Sequence, residues 1–269
     1  MHNFSGKTAL ITGAANGIGK ALAKVLAREH CNLVLLDIDA KGLNNLKTDL
    51  SDLSIQVTVK EVDISNWDAV NNAGNAVAEM HSNIHYLINS VGVSIKSSIS
   101  DQSPEDIQWI TGINYIGTIY ICKRFLDLMD KNQPGAIVNI ASGAGIQGFS
   151  GRTTYCGSKF GIKGFTEALK AELYKSKIDV SCVFPGPVAT KMYKGSRYAD
   201  ESERKKEEAY LTNQGYTPEY VADAILKGIS RRKANILIGK EIFFLFHLKR
   251  LFPKLFPRYL YRNQDKLPG

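Results

Sequence analysis

Cysteine is scarce in this 269-residue chain, and Cys31, Cys122, Cys156 and Cys182 form no C-x-x-C pair. Each lies in or beside an apolar run. A disulfide framework belongs mainly to short secreted chains, so reduced thiols are the expectation here. Long hydrophobic runs are also missing: none approaches the ~18–20 apolar residues that span a bilayer. No basic stretch followed by an apolar signal segment precedes the first strand pattern, so a cytoplasmic location is expected. No Gly/Ser/Pro-rich linker or shift of composition divides the chain, and no short-period repeat runs through it. One large domain is the expectation. Histidine is rare, and the lone His247 sits in an amphipathic pattern; no metal site is expected.

Charge is present but unevenly placed. The formal net charge is +8. Residues 231–262 hold nine Lys/Arg against one acid, Glu241, which is a net +8, so the remainder balances to zero. The basic character belongs to the C-terminal segment and gives the main body no footprint for nucleic acid.

Apolar β-rich runs at 7–12, 32–37, 55–63, 84–89, 135–141, 178–184 and 235–239 read as seven strands. They are apolar on both faces, as buried parallel strands are. Helical patterns fill 17–30, 40–52, 66–81, 104–131, 153–175 and 218–231 between them. Strands separated by such helices predict βαβ crossovers and an α/β fold of the doubly wound, Rossmann type with a parallel sheet. The stretch 188–217 breaks the rhythm. It has no strand pattern and carries eleven charged residues from Lys191 to Glu208. Two readings fit it: a lid over the active site, or a solvated surface helix.

Thr12-Gly13-Ala14-Ala15-Asn16-Gly17-Ile18-Gly19 follows the first strand and opens the first helix. Gly13 permits a tight turn, Gly17 lets backbone approach a pyrophosphate, and Gly19 lets the helix pack closely on the sheet. The helix N-terminus then offers N–H groups to phosphates. Asp37 ends the second strand, 18 residues beyond Gly19, where a carboxylate can accept from an adenosine ribose. It can also cap the next helix, a role for which Asp39 competes. Neither Asn16 nor Ile38 supplies a cation for a 2′-phosphate, so NAD is expected over NADP.

Tyr155-Cys156-Gly157-Ser158-Lys159 opens a helix, and the i, i+4 spacing puts phenol and ammonium on one face. A nearby cation lowers a phenol's pKa, which would equip Tyr155 for proton exchange. Ser142 follows the strand 135–141 at the carboxyl end of the sheet, where such folds bind ligands.

Together these residues resemble the short-chain dehydrogenase/reductase family over about residues 5–240. The glycine turn, Asn114 in the long helix, Ser142, the Tyr155/Lys159 pair and Pro185-Gly186 all match its pattern in order. Where the family often has Asn-Asn-Ala-Gly, this chain has Asn89-Ser90-Val91-Gly92. The resemblance implies an NAD(H)-dependent oxidoreductase that interconverts a secondary alcohol and a ketone. In it Tyr155 is the acid/base and Lys159 lowers its pKa and binds the nicotinamide ribose. Ser142 polarises the substrate oxygen, and Asn114 anchors a water in a proton path. Gly13, Asn16, Gly17, Ile18 and Gly19 would hold phosphate, Asp37 and Ile38 the adenosine ribose, and Asp63 and Ile64 the adenine. Asn89, Ser90 and Gly92 would lie on the ribose side, and Pro185, Gly186, Val188 and Thr190 beside the nicotinamide amide. The main competing class is a silent NAD-binding sensor or scaffold.

The segment 241–269 is set apart as a basic aromatic extension. Leu251-Phe252-Pro253-Lys254 is echoed by Leu255-Phe256-Pro257-Arg258. Rings interleaved with cations suit a membrane surface, reached through 241–262. The same segment could instead pack on a neighbouring subunit of a homodimer or homotetramer, or wall the substrate pocket. A helix over about 241–251 followed by a bent, partly extended piece is expected, because Pro253 and Pro257 forbid one continuous helix. Met192, Tyr193, Tyr198 and Tyr210 in the 188–217 stretch point to an apolar small-molecule substrate, such as a steroid-like or lipid alcohol.

Overall fold

The structure is a computed structural model, and it describes residues 3–262. Strand β1 (Thr8–Thr12) is buried at every position. Its Ala9 and Ile11 join one apolar cluster and its Leu10 another. The same alternation splits β2 (Asn32–Asp37): Leu33 and Leu35 face one layer, Val34 and Leu36 the other. A strand with period-two side chains that are apolar on both faces must be covered on both. Helices α1 (Gly17–Arg28) and α8 (Pro218–Ser230) cover one face through Leu22, Leu26, Val221 and Ile225. Helices α3 (Trp67–Met80) and α5 (Gly117–Phe125) cover the other through Val70, Val77, Ile121 and Phe125.

With β3 (Val57–Glu61), β4 (Tyr86–Asn89), β5 (Gly135–Ile140), β6 (Ile178–Pro185) and β7 (Asn235–Ile238), the strands make one parallel sheet in the order β3-β2-β1-β4-β5-β6-β7. β1 pairs with β2 on one side and β4 on the other. The chain order reverses there, which opens a crevice at the carboxyl ends of the strands. The remaining helices are α2 (Ala40–Asp49), α4 (Pro104–Thr111), α6 (Thr153–Glu172), α7 (Glu201–Gln214), α9 (Lys240–Leu251) and α10 (Leu255–Arg262). Local chemistry starts several of them. Asp39 accepts from Gly42 N at 2.9 Å, Asn66 from Ala69 N at 3.1 Å, and Ser103 and Asp106 form a reciprocal capping box.

Three expectations are corrected. The stretch 104–131 is not one helix: a π turn, Gly112–Ile116, inserts between α4 and α5. A one-residue insertion leaves no mark on apolar periodicity. The stretch 188–217 does contain a strand, since Arg197–Tyr198 pairs in parallel with Ile95–Lys96. Two residues are too few to show alternation. The last piece of the tail is helical as α10 rather than extended. Pro257 falls in its first turn, where the missing N–H has no intrahelical partner to lose.

Candidate active site

The glycine turn is built as a cradle. Gly13 and Gly17 have φ of +67° and +52°, in the left-handed region that favours glycine. A Cβ on Gly13 would meet the Ser90 and Val91 backbone at 3.1 Å, and one on Gly17 would meet Thr190 Cγ2 at 3.0 Å. Gly19 packs so closely on the turn that a Cβ would run into the Gly13 carbonyl. Thus Gly13, Gly17, Ser90 and Thr190, far apart in sequence, converge. Asp37 is fixed beside them, accepting from Ala15 N at 2.9 Å and Asp39 N at 3.0 Å. Asp39 takes the cap of α2, so Asp37 keeps its place at the end of β2. Asn16 reaches Asp39 at 3.5 Å, and Ile38 stands 66 % exposed. A turn with no side chain at Gly13 and Gly17, a helix N-terminus and a fixed carboxylate fit a dinucleotide.

Asp63 does not cap α3; Asn66 does. Asp63 stays exposed and accepts from Ser65 N at 2.9 Å and Ser65 Oγ at 2.7 Å. Two expected cofactor residues point their side chains elsewhere. Ile64 is buried against Gly117, where a Cβ would lie 2.7 Å from Ile64 Cγ1. Asn89 is 3 % exposed and its amide donates to Asn139 Oδ1 at 2.8 Å and Cys122 Sγ at 3.3 Å. It braces β4 to β5 inside the sheet. Sequence alone gives no sign of which way a polar residue at a strand end turns.

The catalytic candidates do come together. Asn114 sits within the π turn, and its side chain clasps one residue of the β4 loop: Oδ1 accepts from Val93 N at 2.8 Å and Nδ2 donates to Val93 O at 2.9 Å. Nδ2 also reaches Ser158 Oγ on α6 at 3.0 Å. Thr118 Oγ1 donates to the Asn114 carbonyl at 3.0 Å, taking up an acceptor of the distorted helix. A Cβ on Gly92 would lie 3.2 Å from Lys159 Nζ and 3.7 Å from Asn114 Oδ1, so glycine leaves that corner open. Tyr155 and Lys159 are both buried on α6, with Lys159 Nζ 5.9 Å from the Tyr155 ring centroid and donating to Ile140 O at 3.2 Å. Ser142 Oγ accepts from Ala144 N at 3.2 Å in the turn after β5, and its hydroxyl side favours the Tyr155 phenolate.

The protonation equilibria differ from the expectation. Burial pushes the Tyr155 phenol up from its ordinary value; Ser142 and the Arg152 cation pull it back, while Cys156 and Glu207 push with burial. Burial also pulls the Lys159 ammonium down to about 8. The cation expected to lower the phenol's pKa is itself weakened by desolvation.

Around Tyr155 the surface is apolar, with Ile95, Ile110 and Ala144 buried and Val93, Trp109 and Phe149 packed on them. Pro185 is buried, and Val188 bridges to Tyr216. Gly186 lies under Glu241, which a Cβ there would strike.

Three polar residues at the site were not singled out from sequence. Glu241 accepts from Tyr216 Oη at 2.9 Å and covers Gly186 and Gly239. As the only acid in a strongly basic segment, it carried a signal. Arg152 and Glu207, a buried ion pair, stand where the catalytic helix begins and in the charged run. Their pairing leaves no trace in local sequence. The four cysteines are buried and free, as expected. No metal-holding cluster of His, Cys, Asp and Glu occurs among the described residues.

Comparison with known proteins agrees with this geometry. The family pattern described as short chain dehydrogenase matches residues 7–201. SadH of Mycobacterium tuberculosis is 30 % identical over 245 residues, covering 90 % of this chain and 89 % of its own. The 3-oxoacyl-[acyl-carrier-protein] reductase FabG of Chlamydia muridarum is 32 % identical over 232 residues, or 86 % and 92 % of the two chains. Among solved structures, a short chain dehydrogenase/reductase from Burkholderia phymatum in complex with NAD superposes with a TM-score of 0.88 at 26 % identity, covering 95 % of this chain and 96 % of that one.

Proposed function

The chain belongs to the short-chain dehydrogenase family, and from that premise we propose that it is an NAD(H)-dependent oxidoreductase interconverting a secondary alcohol and its ketone. The observation that carries the reading is the buried Tyr155, one helical turn from the buried Lys159, whose Nζ lies 5.9 Å from the Tyr155 ring centroid and beside the open corner at Gly92. Bound NAD(H) would accept or supply the hydride. The residues do the rest. Tyr155 takes the proton from the alcohol or returns it to the ketone oxygen. Ser142 holds that oxygen against the phenol. Lys159 binds the nicotinamide ribose and relays the proton, and Asn114 keeps the loop at Val93 in place and holds a water on that path. Gly13, Asn16, Gly17, Ile18 and Gly19 cradle the pyrophosphate, Asp37 and Ile38 meet the adenosine ribose, and Asp63 the adenine. Val188 and Thr190 meet the nicotinamide amide.

The apolar wall of Ile95, Ile110, Ala144 and Phe149 supports an apolar substrate, steroid-like or a lipid alcohol. A panel of secondary alcohols and ketones, followed by the absorbance of reduced nicotinamide, tests the reading. Tyr155→Phe is expected to abolish turnover and leave NAD binding almost intact, since only the proton-carrying oxygen is lost. A Tyr155→Phe protein that kept most of its turnover would demand another acid/base. A silent NAD-binding scaffold would bind NAD and turn over none of the panel.

A second proposal concerns the C-terminal segment, which meets an anionic membrane surface from a cytoplasmic body. Helix α9 has two faces. Ile242 and Leu245 are buried with Ala141, Ile146 and Phe184, whereas Phe243, Phe244 and Leu251 are 52 %, 60 % and 70 % exposed. Phe252, Leu255, Tyr259 and Tyr261 continue the exposed set. No helix among the described residues is long and apolar enough to cross a membrane. A second copy, in a homodimer or homotetramer, is the competing occupant of that face.

A further inference from the structure

The stretch 188–217 is not merely a solvated helix. One guanidinium ties it down. Arg152, the residue before α6, is 6 % exposed; its Nη2 meets Glu207 Oε2 of α7 at 2.5 Å and its Nη1 donates to Ser94 Oγ at 2.9 Å. Glu207 is equally buried, and with Leu211 it is one of two buried residues on a helix whose other positions are exposed or half-buried. Ser94 follows Val93, the residue clasped by Asn114, and its N–H donates to Ser196 Oγ at 3.0 Å while its carbonyl accepts from Arg197 N at 2.9 Å. Arg152 is also one turn before Tyr155. A single side chain thus joins the loop that holds Asn114, the helix that carries the phenol and helix α7.

We propose that Arg152 and Glu207 are a positioning pair: they fasten α7 to the catalytic helix and to the Ser94 loop, and from one turn before Tyr155 their opposed charges act on its hydroxyl. The inference depends on the functional reading only in taking Tyr155 as the acid/base. Burying a charge is costly unless it is paired, so removing α7 from its seat would strand both partners. Docking of α7 and the state of the phenol are therefore linked. The groups facing Tyr155 are Arg152, Cys156 and Lys159 from α6, Ser142 from the turn after β5, and Glu207 from α7. Arg152 favours the phenolate and Glu207 opposes it. Around the pair stand Lys96, 3.6 Å from Glu207, with Glu203 3.3 Å from Lys96, and the phenols of Tyr198 and Tyr210.

The test needs no substrate. The full chain is labelled with ¹³C on its tyrosine rings, and the Tyr155 signal is assigned by its loss in Tyr155→Phe. Its titration and the deuterium exchange of the α7 amides are then followed in Glu207→Gln and Arg152→Gln. In both variants the α7 amides are expected to exchange about tenfold faster or more, because the local opening is easier. The Tyr155 titration moves in opposite directions: to lower pH in Glu207→Gln and to higher pH in Arg152→Gln. A purely structural pair would loosen α7 and shift the phenol the same way in both. Lys96 still neighbours Glu207 when Arg152 is neutral. Should either single variant not fold, Arg152→Met/Glu207→Leu replaces the pair with apolar groups and puts the phenol between the two extremes. α7 protected as in the parent, or equal shifts in both variants, overturns the proposal. Failure of every alcohol in the panel would sink the functional reading while leaving both of these readouts intact.

Discussion

The i, i+4 spacing places Tyr155 and Lys159 on one face of α6, and the glycines mark the cradle. Burial, which decides both pKa directions, depends on contacts from four other segments. Lys159 gives this a measurable consequence. Its folded-state value is depressed to about 8 from an ordinary 10.5. Between those values the unfolded chain holds more protons than the native one, so stability rises with pH across that window and falls as pH drops toward about 8. Below it the buried ammonium is a standing burden on the cofactor-free protein. Lys159→Met is expected to stabilise that protein at pH 7 by up to about 3 kcal/mol and to lose most of the gain by about pH 10. Urea unfolding at the two pH values measures it. An equal gain at both would mean that the effect is packing, not charge. Activity should vanish in the same variant.

Asp37 carries a second prediction at the scale of single residues. Two backbone N–H groups hold its carboxylate in place, and Asp39 adds a second negative charge two residues on. A 2′-phosphate meeting that pair is repelled, with Ile38 offering no cation. NAD(H) should therefore bind at least about tenfold more tightly than NADP(H), which asks for only about 1.4 kcal/mol. Calorimetry with both cofactors decides it, and equal affinities would remove Asp37 from the ribose.

Among elements, helix α6 separates glycines that are needed from glycines that are not. A Cβ on Gly161 would press on the Tyr115 ring at 3.0 Å, whereas around Gly164 nothing lies within 4 Å. Glycine inside a helix costs about 0.5–1 kcal/mol relative to alanine. Gly164→Ala should accordingly stabilise the protein by about that amount, and Gly161→Ala should give less or reverse the sign. Chemical denaturation of the two variants makes the comparison. If both stabilise equally, Tyr115 yields freely and is not a fixed wall between the π turn and α6. Elements of ordinary length were legible: strong apolar runs mark where strands lie, and Asp39 reads as a cap where α2 begins. What stayed hidden was shorter than its own period. Neither the π turn at Asn114 nor the two-residue pairing of Ile95–Lys96 with Arg197–Tyr198 spans enough chain to show a pattern.

For the whole molecule, the C-terminal segment decides what kind of body the enzyme is. The sequence set it apart at residue 241, yet Ile242 and Leu245 belong to the apolar cluster behind Ser142, and Glu241 covers Gly186. α9 is thus one wall of the body as well as a surface. That surface carries rings and cations together, and Lys249 and Arg250 line a groove with Ile146, Phe160, Lys163 and Phe246. Each cation near an anionic leaflet contributes roughly 1 kcal/mol within a Debye length, and ring burial adds apolar area. Binding to vesicles containing phosphatidylserine, weakening as salt rises and absent on phosphatidylcholine alone, is therefore expected. Removing residues 252–269, with Lys254, Arg258, Arg262 and the rings of Phe252, Tyr259 and Tyr261, should weaken it strongly while sparing turnover, because the cut leaves the buried face of α9 in place. Cutting from residue 241 should also damage stability, since Ile242 and Leu245 then leave the core. A second copy on this face would behave differently: the shorter truncation would lower the sedimentation mass, and the full chain would ignore anionic vesicles even at low salt. Co-sedimentation with vesicles, run beside analytical ultracentrifugation on the full and 1–251 chains, separates the two.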